Sequence, residues 1–287
     1  MRIAVIGHVE HITLGRVPAA PRAGEIAHLL EPRFLPGGGG GIAFFQLTRS
    51  PAQVLFFTAL GDDEAAGQVQ ARLLQTGAEI HAARRTAAHT RDVVLITPDG
   101  ERTIVVVGEP LQPLRSDALP WERLEDCDAA YFTAQDPEAL RAARAARVLV
   151  VTARRREALS RSGVRADVVV GSALDPREAC TLADFPPAQR PAALVMTEGA
   201  AGGSVETAAG VRRFPALVAA VRSGAAGGGG GGGGGSYGAG DSFAGALTYF
   251  LAAGLDALEA STRAGPCGAA VLARLDPLEA QLALEAR

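Results

Sequence analysis

Short apolar runs alternate with amphipathic stretches along most of this chain. Arg2–Gly7 (RIAVIG), Gln53–Leu60 (QVLFFTAL), Ala129–Thr133 (AAYFT), Val148–Thr152 (VLVVT), Asp167–Val170 (DVVV) and Ala193–Thr197 (ALVMT) are rich in Val, Ile, Leu and Phe. Such runs, short and almost wholly apolar, suit strands buried on both faces. Between and after them, Glu64–Thr76, Pro137–Ala146 and Ser242–Leu255 carry helical patterns. Buried strands separated by helices predict an α/β fold whose central, mostly parallel sheet is flanked by helices, with ligands at the carboxyl ends of its strands.

Two segments depart from this rhythm. Ile12–Leu35 and His89–Gly108 carry alternating or β-branched runs, and TRDVVLITPDGERTIVVVG predicts a hairpin turning at Pro98-Asp99-Gly100. They predict a small β-sheet lid beside the core. The core then comprises residues 1–11, 36–88 and 109–287, and the lid residues 12–35 and 89–108. A lid over a phosphoryl group would exclude the water that competes with an acceptor hydroxyl.

Composition narrows the chemistry. The 287 residues are 48% hydrophobic and 21% charged with a net charge of −3, enough for a full core and without a basic footprint for nucleic acid. The opening apolar run is too short for a signal peptide, and no later one approaches a membrane span, so a cytoplasmic protein is expected, free of membrane or nucleic-acid partners. Cys127, Cys180 and Cys267 are widely spaced and suggest neither a disulfide framework nor a cysteine metal site. The chain has no Lys and no Asn. A P-loop, a protein-kinase strand Lys and a Schiff-base Lys are thereby excluded, and any phosphate must be held by backbone amides, Arg or a divalent cation.

The segment Gly238-Ala239-Gly240-Asp241-Ser242-Phe243 supplies such amides. Glycines let the backbone approach an anion, a helix N-terminus favours negative charge, and an acidic side chain in the turn can take a proton from an attacking hydroxyl. Asp241 is the candidate general base; the alternative is that it only caps the helix. His8, Glu10 and His11 diverge too much at a strand end to form a metal cluster.

Taken in order, these features resemble the ribokinase-like (PfkB) carbohydrate kinase family nearly end to end. The opening strand is followed by the glycine cluster Gly37–Gly41 entering a helix, then Gly61-Asp62-Asp63-Glu64 with Gly67, the hairpin with Gly100-Glu101-Arg102-Thr103, Thr197-Glu198-Gly199-Ala200-Ala201-Gly202, and the Gly238–Asp241 turn. The resemblance implies transfer of the γ-phosphate of ATP, with Mg²⁺ and a monovalent cation, to a hydroxyl of a sugar or sugar-like molecule. It implies Asp241 as catalytic base and the amides of Gly238, Ala239 and Gly240 as anion hole. It further implies nucleotide contacts at Thr197, Gly199 and Gly202, acceptor contacts at Glu10, Gly38, Gly39 and Gln135, and a homodimer formed through the lid. Gly61–Glu64 either serves this site or begins a helix capped by Asp62 or Asp63.

Three departures from the family pattern stand out. Ile42 occupies the place of the sugar-binding Asn. The N-x-x-E motif that organises magnesium has no Asn, leaving Ser172 and Asp175, or Asp175 and Glu178 if one turn is inserted, as oxygen ligands; an ordinary helix start explains Asp175 and Glu178 as well. Gly227–Gly235 is an unbroken glycine run where the family has a strand, either a flexible linker or, as favoured here, a stand-in for other residues. The intact mass separates those two, since every other residue is heavier. Alternatives to a sugar kinase are a nucleoside kinase, for which Phe44 or Phe45 would supply a stacking ring, and a catalytically impaired sugar or nucleotide sensor.

Overall fold

The computed structural model describes residues 1–216 and 235–285. The Gly227–Gly235 run lies outside them except for its last residue. Every strand expected from the apolar runs is present: β1 (Arg2–Ile6), β4 (Gln53–Leu60), β8 (Ala129–Phe132), β9 (Val148–Thr152), β10 (Val168–Ser172) and β11 (Ala193–Thr197). With β5 (Glu79–Arg84) and the hairpin β12 (Gly203–Thr207) and β13 (Gly210–Phe214), they form a nine-stranded sheet ordered β13-β12-β11-β10-β9-β8-β1-β4-β5. Pairing is parallel from β11 to β5 and antiparallel across β11-β12-β13.

Strand alternation sends the two faces into separate cores. Ile3, Val5, Phe56, Tyr131, Val150 and Val195 pack on one side with α1 (Gly38–Leu47), α2 (Glu64–Leu74), α5 (Ala239–Ala252) and α6 (Ala257–Val271). Ile6, Leu55, Phe132, Leu149, Val169 and Met196 pack on the other with α3 (Pro137–Ala143), α4 (Arg156–Ser162) and Trp121. A short α7 (Pro277–Ala280) follows α6. No helix among the described residues is long and apolar enough to cross a membrane.

A second sheet, ordered β3-β2-β6-β7, is built from β2 (Glu10–Arg16), β3 (Leu30–Gly37), β6 (Arg91–Ile96) and β7 (Arg102–Val107). These are the two segments predicted as a lid, with β2 beginning two residues before Ile12 and β3 ending two after Leu35. Ile12, Leu14, Leu35, Val94 and Ile96 join the core, whereas β7 is exposed along its whole length. Gly100 takes φ +82° at the hairpin turn, and its carbonyl accepts the Ser236 N–H at 3.0 Å. Arg102 donates to Ser236 Oγ at 2.9 Å, so the hairpin lies against the entry to the glycine turn.

Small residues bring α1 and α5 onto the sheet. A Cβ on Gly7 would meet Gly40 Cα at 3.0 Å, and one on Gly245 would meet the Ala43 carbonyl oxygen at 2.7 Å. The first contact sets the α1 N-terminus over the end of β1; the second sets α5 beside α1. Both helix starts therefore face the carboxyl ends of the strands.

Candidate active site

The turn before α5 is built on a glycine. Gly238 is the residue before the helix and sits at φ +81°, a left-handed conformation that favours glycine. The first intrahelical bond runs from Ser242 N–H to the Gly238 carbonyl at 2.9 Å. The N–H groups of Ala239, Gly240 and Asp241 thus have no backbone acceptor among the described residues, and a Cβ on Gly240 would meet nothing within 4 Å. Open donors at a helix start form an anion site.

Asp241 is not a cap. No side chain caps α5, and Asp241 stands in the first turn, half-buried, with its carboxylate directed at α1. A Cβ placed on Gly39 would lie 3.2 Å from Asp241 Oδ1, 3.1 Å from Thr133 Oγ1 and 3.6 Å from His8 Cε1. Three polar side chains therefore converge on the space that Gly39 leaves open. Burial pushes the Asp241 carboxyl up to about 6, against the pull of Arg154 and with a further push from Glu178. At pH 7 it is ionised and still basic enough to accept a proton.

His8 and Tyr237 fix the glycine cluster. Gly39 N–H donates to His8 Nε2 at 3.2 Å, Gly41 N–H to the His8 carbonyl at 3.1 Å, and Gly38 N–H to the Tyr237 hydroxyl at 2.9 Å. Gly38 has φ +75°, and a Cβ there would press on His8 and Glu10. Burial, reinforced by Arg155 and Arg154, lowers His8 to about 3, so the ring is neutral. Glu10 and Asp92 are both buried and hydrogen-bonded carboxyl to carboxyl. Burial and the Asp92 carboxyl push Glu10 up to about 9, so the pair holds a proton at neutral pH.

The other candidates fall differently. Gln135 is exposed between β8 and α3, and the side chain that enters the site from this strand end is Thr133. Ile42 is buried in the core, where Gly238 packs near it and its carbonyl accepts from Gln281, so its side chain is a packing residue. Phe44 stacks on Phe56 and Phe45 is buried beside it, which removes both rings as partners for a nucleobase. Asp63, not Asp62, caps α2, accepting from Ala66 N–H at 3.0 Å, and also pairs with Arg91.

At the β11 end, Thr197 donates its hydroxyl to the Gly171 carbonyl at 3.2 Å, and Gly199 and Gly202 take φ +57° and +85° in the turn that follows. A Cβ on Gly202 would come within 2.3 Å of the Phe214 carbonyl oxygen, so this glycine is required by packing. Ser172 pairs in register with Thr197, placing this turn beside the β10 end.

There Asp175 and Glu178 do come together, as the inserted-turn alignment expects, but around a guanidinium. Arg154 donates to Glu178 Oε1 from Nε at 2.8 Å and again from Nη2, and to Asp175 Oδ2 at 3.0 Å. Glu178 Oε2 accepts Ser172 N–H at 2.9 Å, and Asp175 is also held by Arg177. All four carboxylate oxygens thus carry hydrogen bonds from the protein. This donor set does not fit the ligand role expected of it, because magnesium would have to displace a fixed cation. Arg154 and Arg155, which follow β9, were not singled out in the sequence; within the run Arg154-Arg155-Arg156 nothing distinguishes them from a solvated helix start.

No protein-family model matches the chain, and no curated protein matches it. Solved structures do. Ribokinase from Giardia lamblia superposes with a TM-score of 0.77 at 15% identity, covering 98% of this chain and 95% of that one. Ribokinase from Thermotoga maritima gives 0.73 at 17% over 99% and 96%. A Burkholderia thailandensis nucleoside kinase in complex with inosine gives 0.72 at 15% over 98% and 94%. Likeness at this identity shows architecture: the chain has the ribokinase fold, a mostly parallel sheet flanked by helices with a small β-sheet lid.

Proposed function

We propose that this protein is an ATP-dependent kinase that phosphorylates a hydroxyl of a sugar or sugar-like small molecule. The observation that carries the reading is the convergence of Asp241, Thr133 and His8 on the space above Gly39, beside a helix start whose first N–H groups have no acceptor among the described residues. The acceptor hydroxyl lies at Asp241, which takes its proton as the oxygen–phosphorus bond forms and the bond to the β-phosphate oxygen breaks. The amides of Ala239 and Gly240 hold the transferring group, fixed donors of a kind each worth about 10²–10³ in rate. The nucleotide runs from there over Thr197, Gly199 and Gly202, at the adjacent strand ends. Arg102, bonded to Ser236, lets the lid bear on the same turn.

Magnesium enters the reaction with the nucleotide in kinases of this chemistry and neutralises phosphate charge. The exposed β7 edge, with Ile104, Val105, Val106 and Val107 open to solvent, supports a homodimer through the lid. The core placement of Phe44 and Phe45 favours a sugar-like acceptor over a nucleoside. Screening sugars and nucleosides for ATP consumption tests the reading. Turnover with a sugar-like acceptor is expected; no consumption with any acceptor would leave a binding protein of the same fold.

A further inference from the structure

The acceptor side of the site holds two donors that the protein itself does not satisfy. His8 accepts Gly39 N–H at Nε2, so its own proton is on Nδ1, and Nδ1 is buried without a partner. The Cε1 edge of that ring, which carries Nδ1, borders the space above Gly39. The second donor is Arg155. It is half-buried and tied through Nε to the Thr133 carbonyl at 2.9 Å. Arg154 beside it is matched by two carboxylates, whereas Arg155 makes no ion pair among the described residues. Its charge acts on both His8 and Glu10. A half-buried guanidinium next to another cation, hydrogen-bonded to a carbonyl and acted on by the Asp241 carboxylate without an ion pair to it, has capacity for a further anion.

Groups suited to a neutral sugar are scarce on this side. Ile42 has turned into the core, Gln135 points to solvent, and Glu10 is occupied with Asp92. We infer that the acceptor is acidic, a hydroxylated molecule bearing an oxyanionic group, carboxylate or phosphate ester, that Arg155 and the His8 Nδ1–H bind while its hydroxyl lies at Asp241. This rests on the kinase reading for the fate of the hydroxyl, but anion binding can be measured without turnover.

The experiment compares D-gluconate and D-ribonate, D-ribose 5-phosphate and D-fructose 6-phosphate, and neutral D-ribose and D-fructose as acceptors, with wild type, Arg155→Met and Arg155→Lys. An acidic acceptor is expected to exceed its neutral parent in kcat/KM, the carboxylate and phosphate arms deciding which oxyanion is meant. Arg155→Met should raise the KM for that acceptor about 100-fold with the KM for ATP within about twofold, and Arg155→Lys should recover part of the loss. A neutral sugar as best acceptor, or a variant that changes the KM for ATP instead, would overturn the inference. If nothing is phosphorylated the kinase reading fails, and thermal-shift titration with the same anions, without nucleotide, decides this one. A shift abolished in Arg155→Met supports it, and no shift in wild type refutes it.

Discussion

The two flanks of Asp241 are built on different principles. Toward α1 the space is made by what is missing: Gly39 has no side chain, and neutral groups on His8 and Thr133 border the opening. Toward β10 the space is filled by charge, with Arg154 locked between Asp175 and Glu178. A site made by backbone approach depends on single residues that admit no substitute. A charge network depends on partners from separate elements, here the segment after β9 and the loop after β10. In the proposed reaction the first flank would receive the acceptor, and the second contributes to the field at Asp241.

The largest effect tests the residue between them. Asp241→Asn should lower turnover by about 10²–10⁴ with nucleotide affinity nearly intact. The pH profile gives an independent check: kcat/KM should fall below about pH 6 as Asp241 takes up a proton. Stability should move the other way. The folded-state value is raised above 3.8, so the wild type loses stability relative to Asn as pH rises through about 6. The variant should melt with the wild type near pH 4 and above it at pH 8. Unchanged turnover would remove Asp241 from the mechanism.

Gly39→Ala sharpens the contrast from the acceptor side. Its methyl would sit against Asp241 Oδ1 and Thr133 Oγ1. A displacement of that size should cost about 10²-fold in kcat/KM for the acceptor, with the KM for ATP little changed and the fold retained. Full activity in this variant would show that the acceptor does not use the space above Gly39.

This contrast also explains what was legible in the sequence. The six buried strands were readable because their apolar runs are too short for a buried helix and rich in β-branched and aromatic residues, and the turn at Gly238 because glycines before a helix pattern leave few alternatives. The edge strands β5 and β13, and β12 beside the latter, are not marked in the sequence, since Glu79–Arg84 and Gly203–Phe214 mix polar and apolar residues. Thr133, His8 and Arg155 gained their places only through tertiary contact. The pairing of Arg154 with Glu178 joins residues 24 apart in sequence, and no local pattern marks it. Magnesium at Asp175 and Glu178 is what the resemblance implies, and nothing in that pattern marks the cation that arrives from the segment after β9.

Arg154→Met breaks the charged flank. Glu178 would then face Asp175 with no guanidinium of its own, only Arg177 remaining on Asp175. Arg154 is partly open to water, which screens the loss, so the cost should be about 1–3 kcal/mol, or roughly 2–5 °C in melting temperature. Magnesium chloride should restore part of that loss in the variant, where Glu178 Oε1 is freed, and leave the wild type unchanged. Magnesium stabilising the wild type through Asp175 and Glu178 would show that Arg154 does not occupy their binding capacity.

The smallest effect belongs to Glu10, where the acceptor flank meets the lid. Protonated Glu10 donates to Asp92, and a Gln amide can donate the same hydrogen bond, so Glu10→Gln should keep kcat/KM within a few-fold of wild type. Its stability should track pH. Glu10 is raised from 4.5 to about 9 in the folded chain, so the wild type loses stability across that interval, while the variant has no such group to titrate. The two proteins should melt together near pH 4.5, and the variant should lead increasingly toward pH 9. Melting curves with a constant offset between pH 4.5 and pH 9 would mean that Glu10 and Asp92 do not share a proton, and that Glu10 is free to bind an acceptor hydroxyl as a carboxylate.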